Sequence, residues 1–253
     1  ASSPKDIFTM INDADIKFPD IKDKNGNMVQ LTKGKYTLFL ENNNQDVRKN
    51  AFNAFYETYL KQKNTLASTY YSSVKSDSFY ANIRGYNSSA EMALSDSNIP
   101  VSVYDNLIST VHSNISLLHR YVKLRKKILG VSELHMYDLY APLVAEFDKK
   151  INYEQAKEIV SKALEPMGTE YVNALNEGYK NGWIDVYENE GKRSGAYSWG
   201  TYTSHPYVLL NHNDNVNSMF TLAHEMGHAL HRFYTWKNQP YIYSDHKIFV
   251  AEV

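Results

Sequence analysis

The chain has 253 residues, enough for one large domain or two small ones, and its 27 basic and 28 acidic residues leave a formal net charge of −1. This balance, without a basic stripe, argues against a nucleic acid or an anionic membrane as a partner. The absence of cysteine excludes disulfides and cysteine-ligated metal sites, and no apolar run is long enough to span a bilayer.

Helices are predicted through the first 182 residues, mainly from apolar residues that recur every three or four positions. Asn44 is the predicted N-cap of the first helix, and Gly130 is the predicted stop of the third, because it follows a long apolar stripe. Pro166 is predicted to open the fifth helix, since proline suits the first helical turn. The predicted ranges are 44–63, 66–83, 103–129, 153–164 and 166–182.

Short strands are predicted after the fifth helix. Residues 183–187 and 207–210 are apolar or alternating over a strand length, and the loop between them contains Gly191, Gly195 and Gly200. The predicted fold class is therefore mainly α with a small β-sheet. We predict a largely helical portion at 1–182, followed at 183–253 by the sheet and the last helices.

One motif points to a chemistry. Residues 224–228 read HEMGH, an HExxH pattern, inside a predicted helix, 218–235, whose N-cap is Asn217 or Ser218. Histidines four positions apart project from one helix face, so both imidazoles can bind a single ion. Glu225 lies beside them and can deprotonate a water that zinc activates, as in zinc peptidases. The same pattern arises by chance in about a few per cent of chains of this composition.

A catalytic zinc site needs a third protein ligand, and the residues after the motif offer few carboxylates. A second helix, with Ser244 or Asp245 as its N-cap, is predicted to contain Glu252 about two turns in. Glu252 is the predicted third ligand, beside the two histidines of the motif, and Asp245 is the predicted cap. His231 and His246 are interpreted as surface groups or as neighbours of the ligands, and a role as metal ligand is the alternative for each.

Several segments give the chain a resemblance to a known family. It resembles the M3 metallopeptidases of the oligoendopeptidase F type most specifically in the segment that reads GAYSWGTYTSHPYVLLN, at 195–211. The resemblance implies a zincin-like (HExxH) M3 oligopeptidase catalytic domain, one zinc ion per chain, and a cytoplasmic metalloendopeptidase that cleaves oligopeptides rather than folded proteins. Other similar segments are 18–23, 47–52, 135–143, 223–228 and 243–252.

Within that resemblance His224, His228 and Glu252 are expected to bind the zinc ion, and Glu225 is expected to be the general base. Family members are much longer, so the chain is expected to be a fragment. The expected missing parts are an N-terminal region before Ala1 and a catalytic portion after the third ligand. The expected partners are oligopeptide substrates and the remaining portions of the full-length enzyme, with neither nucleic acid nor membrane.

A substrate-binding edge is also predicted. An endopeptidase can hold an extended substrate by backbone hydrogen bonds to a sheet edge, and Gly195, Ala196 and Tyr197, with Tyr207, are the predicted residues for this role. The same residues also fit an ordinary surface loop, and the two interpretations stay open.

Two other classes of protein remain compatible with the sequence. The first is a catalytically incomplete fragment that binds zinc or peptide without turnover, because substrate-clamping groups lie outside this chain. The second is a helical scaffold whose HExxH motif is coincidental. Zinc stoichiometry tests the scaffold, and peptide hydrolysis that is lost in Glu225→Gln tests the incomplete fragment.

Overall fold

The computed structural model describes residues 3–144 and 150–252, and most of these residues are helical. The chain forms two compact units, Ala1–Ala145 and Glu146–Val253. The predicted fold class, mainly α with little β-structure, is confirmed, and the predicted division at residue 182 stays a prediction. Within the described ranges, no helix combines the length and apolar character needed to cross a membrane.

The first unit is helical, with a two-stranded antiparallel sheet in which Ile21 lies opposite Val29. Its strands are β1 (Asp20–Lys22) and β2 (Met28–Gln30), and a 3₁₀ turn lies at Met136–Asp138. Its helices are α1 (Ser3–Thr9), continued by a π-helical segment (Met10–Asp15), α2 (Lys33–Leu40), α3 (Gln45–Leu60), α4 (Lys63–Ile83), α5 (Ser89–Ser95) and α6 (Val101–Leu129).

Local signals set two of these helix ends as predicted, whereas α4 and α6 begin at Lys63 and Val101, before the predicted positions 66 and 103. The Asn44 side chain accepts a hydrogen bond from the N–H of Asp46 and caps α3. Gly130 ends α6 in the left-handed conformation, with φ of 66°, which glycine adopts without steric penalty. The buried face of α3 packs in a core with β1 and α2, formed by Phe18, Ile21, Leu31, Phe39, Val47 and Ala51.

A buried ion pair ties α3 to the 3₁₀ turn in the first unit. The Nε and Nη2 atoms of Arg48 lie 3.1 and 2.6 Å from Oδ1 of Asp138, and both side chains are almost wholly buried. Arg48 also donates to the carbonyl oxygens of Asn42 and Asn43, at 2.7 and 3.0 Å. The backbone N–H of His135 donates to Asp138 Oδ2. Charge and hydrogen bonds therefore compensate for burying these groups.

The second unit combines helices with a three-stranded sheet of order β3-β5-β4. Strand β5 is parallel to β3 and antiparallel to β4. The strands are β3 (Ile184–Asp185), β4 (Tyr197–Trp199) and β5 (Tyr207–Leu209). The helices are α7 (Tyr153–Ala163), α8 (Thr169–Lys180), α9 (Val216–Asn238) and the short α10 (Ile248–Ala251), with 3₁₀ turns at Glu165–Met167 and Tyr241–Tyr243.

Three boundaries in this unit correct the sequence predictions. Pro166 lies in a separate 3₁₀ turn, because Gly168, at φ of 96°, interrupts the chain before α8 begins at Thr169. The N-cap of α9 is Asn215, whose side chain accepts from the N–H of Ser218. The final helix is only four residues long and has Lys247 at its N-cap position, so neither Ser244 nor Asp245 is its cap.

The core of the second unit lies between α9 and its neighbours. Gly178 of α8 allows the closest approach, since a Cβ there would lie 2.8 Å from the Trp183 ring and 2.9 Å from Met226 Cε. Met226 is the central residue of the HEMGH motif and is fully buried. One face of α9 therefore anchors the motif in the core. The other buried residues of this core include Trp183, Val208, Leu210, Leu222, Ala229 and Leu230.

Candidate metal centre

Helix α9 separates a buried face from a chemical face. Leu222, Met226 and Leu230 are fully buried, four positions apart, and hold the helix against the core. His224 and His228 project from the other side, and their side chains are 54% and 16% exposed to solvent. Both imidazoles are therefore accessible to an ion and to a substrate from solvent.

The structure brings His224, His228 and Glu252 together. The two Nε2 atoms lie 3.0 Å apart. Glu252 presents one carboxylate oxygen to each ring, at 3.4 Å from His224 Nε2 and 3.5 Å from His228 Nε2. Among the described residues these three form the metal-competent group, with ligand atoms within 4.8 Å of one another.

The donor set fits zinc. Two imidazole nitrogens and a carboxylate oxygen are a common three-ligand set of catalytic zinc sites. Tetrahedral ligands at about 2.0–2.1 Å from zinc lie about 3.3 Å from one another. The Nε2–Nε2 separation of 3.0 Å lies close to this value, as do the distances of 3.4 and 3.5 Å from the two Nε2 atoms to the two different oxygens of the Glu252 carboxylate. The three side chains therefore fit a single zinc ion.

Glu225 lies beside the group but points into a more enclosed place, with 7% of its surface exposed. Its carboxylate accepts a hydrogen bond from the backbone N–H of Ser198 in β4. Burial raises the pKa of Glu225, and the Glu252 carboxylate adds to this, while His224 and the Ser198 N–H act in the opposite direction. A carboxylate with a raised pKa accepts a proton more readily than a solvated one.

The electrostatics of His228 favour its neutral form. Burial lowers the pKa of His228, and the neighbouring His224 lowers it further, while Glu252 opposes the shift. Only a neutral imidazole can offer a lone pair to a metal. Burial therefore favours the protonation state of His228 that can bind a metal.

Strand β4 forms the edge of the sheet beside this site. In β5 the N–H of Val208 donates to the carbonyl of Trp183 on the β3 side, so Tyr207 and Leu209 direct their backbone groups toward β4. Ser198 lies opposite Val208 and therefore directs its backbone groups to the outer edge. This register explains why the Ser198 N–H reaches Glu225.

The predicted substrate-binding residues fall on different elements. Gly195 and Ala196 lead into β4, and Tyr197 begins that edge strand with an exposed side chain. Tyr207 begins the middle strand, so its backbone pairs with Trp199 and does not lie at an edge. A role for Tyr207 therefore depends on its exposed side chain.

Asn211 is a residue that the sequence analysis missed. Its side-chain amide donates to the carbonyl oxygens of Arg193 and Gly195, at 2.9 and 2.8 Å. These bonds fix the loop that delivers the edge strand. No local pattern marks the role of Asn211, because its partners lie 16 and 18 residues away.

His231 and His246 are not part of the metal-competent group. Their rings stack on each other, with centroids 4.1 Å apart and an interplanar angle of 14°. Asp245 lies 3.4 Å from the Nη2 atom of Arg232. These residues connect α9 to the segment that carries Glu252.

Known proteins resemble this chain over nearly its whole length. Residues 38–253 match the model of peptidase family M3. The chain is 53% identical over 251 residues to oligopeptidase PepF of Bacillus subtilis (strain 168), covering 99% of this chain and 38% of that protein. The chain therefore spans about two fifths of the length of this relative.

Solved structures show the same likeness. Oligoendopeptidase-F from Enterococcus faecium is 36% identical with a TM-score of 0.61, over 92% of this chain and 36% of that one. The structure of PZ peptidase A with inhibitor 2 shares only 17% identity but gives a TM-score of 0.82, over 98% of this chain and 44% of that one, which shows the common fold. The chain belongs to peptidase family M3.

Proposed function

We propose that the chain carries the zinc-binding part of an endopeptidase that hydrolyses peptide bonds in oligopeptides. The convergence of His224, His228 and Glu252, with the buried Glu225 beside them, is the observation that carries this proposal. Relatives named oligopeptidase and oligoendopeptidase support oligopeptides as the substrate class. A cytoplasmic location stays a prediction of the resemblance.

The three ligand side chains have separate tasks in this proposal. His224 and His228, spaced one helical turn apart, offer their Nε2 atoms from a rigid, core-anchored helix. Glu252 adds a negative charge that offsets the charge of the metal. Zinc, when bound, supplies Lewis-acid chemistry that activates water and polarises the scissile carbonyl.

Glu225 moves the proton. Its carboxylate, held by the Ser198 N–H, is placed to accept a proton from a water molecule as the water oxygen attacks the scissile carbonyl. A C–O bond forms and the peptide C–N bond breaks. The carboxyl group then returns the proton to the leaving nitrogen, so Glu225 ends the cycle ionised as it began.

The edge strand provides a place for an extended substrate. Alternation along β4 directs the backbone of Ala196 and the carbonyl of Ser198 to the outer edge, where a peptide can add as a further strand while the Ser198 N–H stays with Glu225. The predicted residues Gly195 and Tyr197 flank these positions. Pairing along this edge would align a peptide bond beside Glu225, whose partner is Ser198.

Glu225→Gln tests the mechanism, because the amide keeps the size of the side chain and removes its basicity. We expect kcat/KM on a quenched fluorescent oligopeptide to fall by about 10²- to 10⁴-fold, with zinc content unchanged. Glu190→Gln, at an exposed loop position, is the matched control and should keep full activity. Hydrolysis that survives Glu225→Gln, or active protein that holds no zinc, would contradict the proposal.

A catalytically incomplete chain is the second candidate, because the chain spans only 38% of the length of its Bacillus relative. Helix α6 supports further portions of the enzyme as partners, since it exposes apolar side chains at heptad spacing. The isolated chain would then bind zinc without turnover, and addition of the further portions would restore hydrolysis. The exposed residues are Tyr104, Ile108, Val111, Ile115 and Leu118.

A further inference from the structure

The third ligand lies on a segment that cannot fix its own position. Glu252 follows the four-residue helix α10, and its side chain is 63% exposed. A helix this short has little stability of its own, because nucleation is unfavourable and few bonds follow. Residues 244–252, here called the ligand arm, must therefore be held by contacts outside the arm.

A row of side chains along α9 supplies such contacts. His224, His228, Arg232 and Trp236 follow one another at intervals of four residues. Each step rotates by only about 40° around the helix, so the four side chains share one face. The first two residues of the row are the metal-binding pair. The next two contact the ligand arm.

Both contacts reach the start of the arm. Trp236 donates its indole Nε1–H to the carbonyl oxygen of Ser244 at 2.8 Å. Arg232 lies 3.4 Å from Oδ1 of Asp245. The stacked rings of His231 and His246 lie next to these contacts. Helix α9 therefore holds both the histidines and the segment that presents Glu252.

The same two side chains also contact the end of strand β4. The guanidinium carbon of Arg232 lies 5.1 Å from the centre of the Trp199 ring. A Cβ at Gly200 would lie 2.6 Å from Cη2 of Trp236, so the indole occupies the space that a side chain at Gly200 would need. The indole is therefore held on one side by Gly200 and bonded on the other to Ser244.

We propose that Trp236 is a positioning residue, which holds the ligand arm so that Glu252 reaches the metal, and that Arg232 is a second tie in the same row. This inference rests on the proposed function, because it assumes that Glu252 binds zinc. It predicts that zinc affinity depends on an indole N–H that touches neither metal nor substrate.

Trp236→Phe tests the inference, since it keeps an aromatic ring and removes the N–H. We expect the zinc Kd, measured by competition with a chelator, to rise about three- to tenfold, as for loss of one hydrogen bond. Thr235→Val is the matched control, because its hydroxyl donates only within α9, to the His231 carbonyl at 2.8 Å. The control should leave the zinc Kd unchanged, and the melting temperature of the metal-free proteins monitors folding.

A double-variant cycle shows whether the effect passes through Glu252. In a Glu252→Gln background, Trp236→Phe should no longer change the zinc Kd. Gly200→Ala provides an independent perturbation, since its Cβ displaces the indole, and it should weaken zinc binding in the Glu252 protein only.

An equal loss of affinity in both backgrounds, or an unchanged Kd in both Trp236→Phe and Gly200→Ala, would overturn the inference and leave the proposed function intact. A wild-type chain that binds no zinc would overturn both.

Discussion

The buried ion pair between Arg48 and Asp138 allows a quantitative test of how the first unit is stabilised. Removing one partner of a buried pair costs about 3–5 kcal/mol, because the other charge is left without compensation. In Asp138→Ala, Arg48 keeps its bonds to the carbonyl oxygens of Asn42 and Asn43. We therefore expect a loss of unfolding free energy at the lower end, about 3 kcal/mol.

A second variant separates the unpaired charge from the pair itself. Arg48→Met combined with Asp138→Ala removes both charges and leaves an apolar side chain of similar length. If the stranded guanidinium is the main cost, the double variant will lose less stability than the sum of the two single variants. We expect a coupling energy of about 2 kcal/mol between the two sites, as for directly contacting residues.

Two spectroscopic signals make the assay specific. Far-UV circular dichroism follows the helices during urea unfolding. Tryptophan fluorescence follows only the second unit, because all three tryptophans, Trp183, Trp199 and Trp236, lie there. Asp138→Ala should shift the circular dichroism transition more than the fluorescence transition. A loss below about 1 kcal/mol, or strict additivity in the double variant, would refute the reasoning.

Three further outcomes are expected. Burial alone raises the pKa of Asp138, but hydrogen bonds from His135 and Arg48 lower this pKa below 3.8. The ionised Asp138 therefore stabilises the fold above pH 3.8, and this stabilisation is lost as the pH falls through the folded-state pKa. The difference in unfolding free energy between the wild type and Asp138→Asn should shrink over the same pH range. Asn211→Ala frees the loop before β4 and should raise KM about three- to tenfold at unchanged zinc content. Leu222→Ala, at a fully buried position, should cost about 2–5 kcal/mol in thermal unfolding, whereas exposed Phe220→Ala should stay within about 0.5 kcal/mol.

The sequence predicted best those features that depend on neighbouring residues. The cap at Asn44 and the stop at Gly130 were correct, because each depends on hydrogen bonds and backbone angles within one helical turn. The spacing of His224 and His228 likewise determines their shared face in any helix. Periodicity over more than ten residues located α9, although its N-cap lies at Asn215, earlier than predicted.

Features that depend on distant contacts were harder to predict. Strand β4 has three residues within a glycine-rich stretch, and its pairing with β5 decides its structure more than its own sequence does. The arm that carries Glu252 was predicted as a longer helix, but contacts from Arg232 and Trp236 shape its start. The bond from the Ser198 N–H to Glu225 could not be predicted from the sequence, because a backbone N–H does not depend on the type of side chain.

The central claim is that three side chains of this chain share one zinc ion, and anomalous diffraction at the zinc absorption edge tests it most directly. We expect one strong peak, about 2.0–2.2 Å from Nε2 of His224, from Nε2 of His228 and from a carboxylate oxygen of Glu252. Glu252→Gln should weaken that peak at equal zinc concentration. A zinc peak that lies elsewhere would contradict the account. A peak within bonding distance of both histidines but beyond bonding distance of the Glu252 carboxylate would contradict it too.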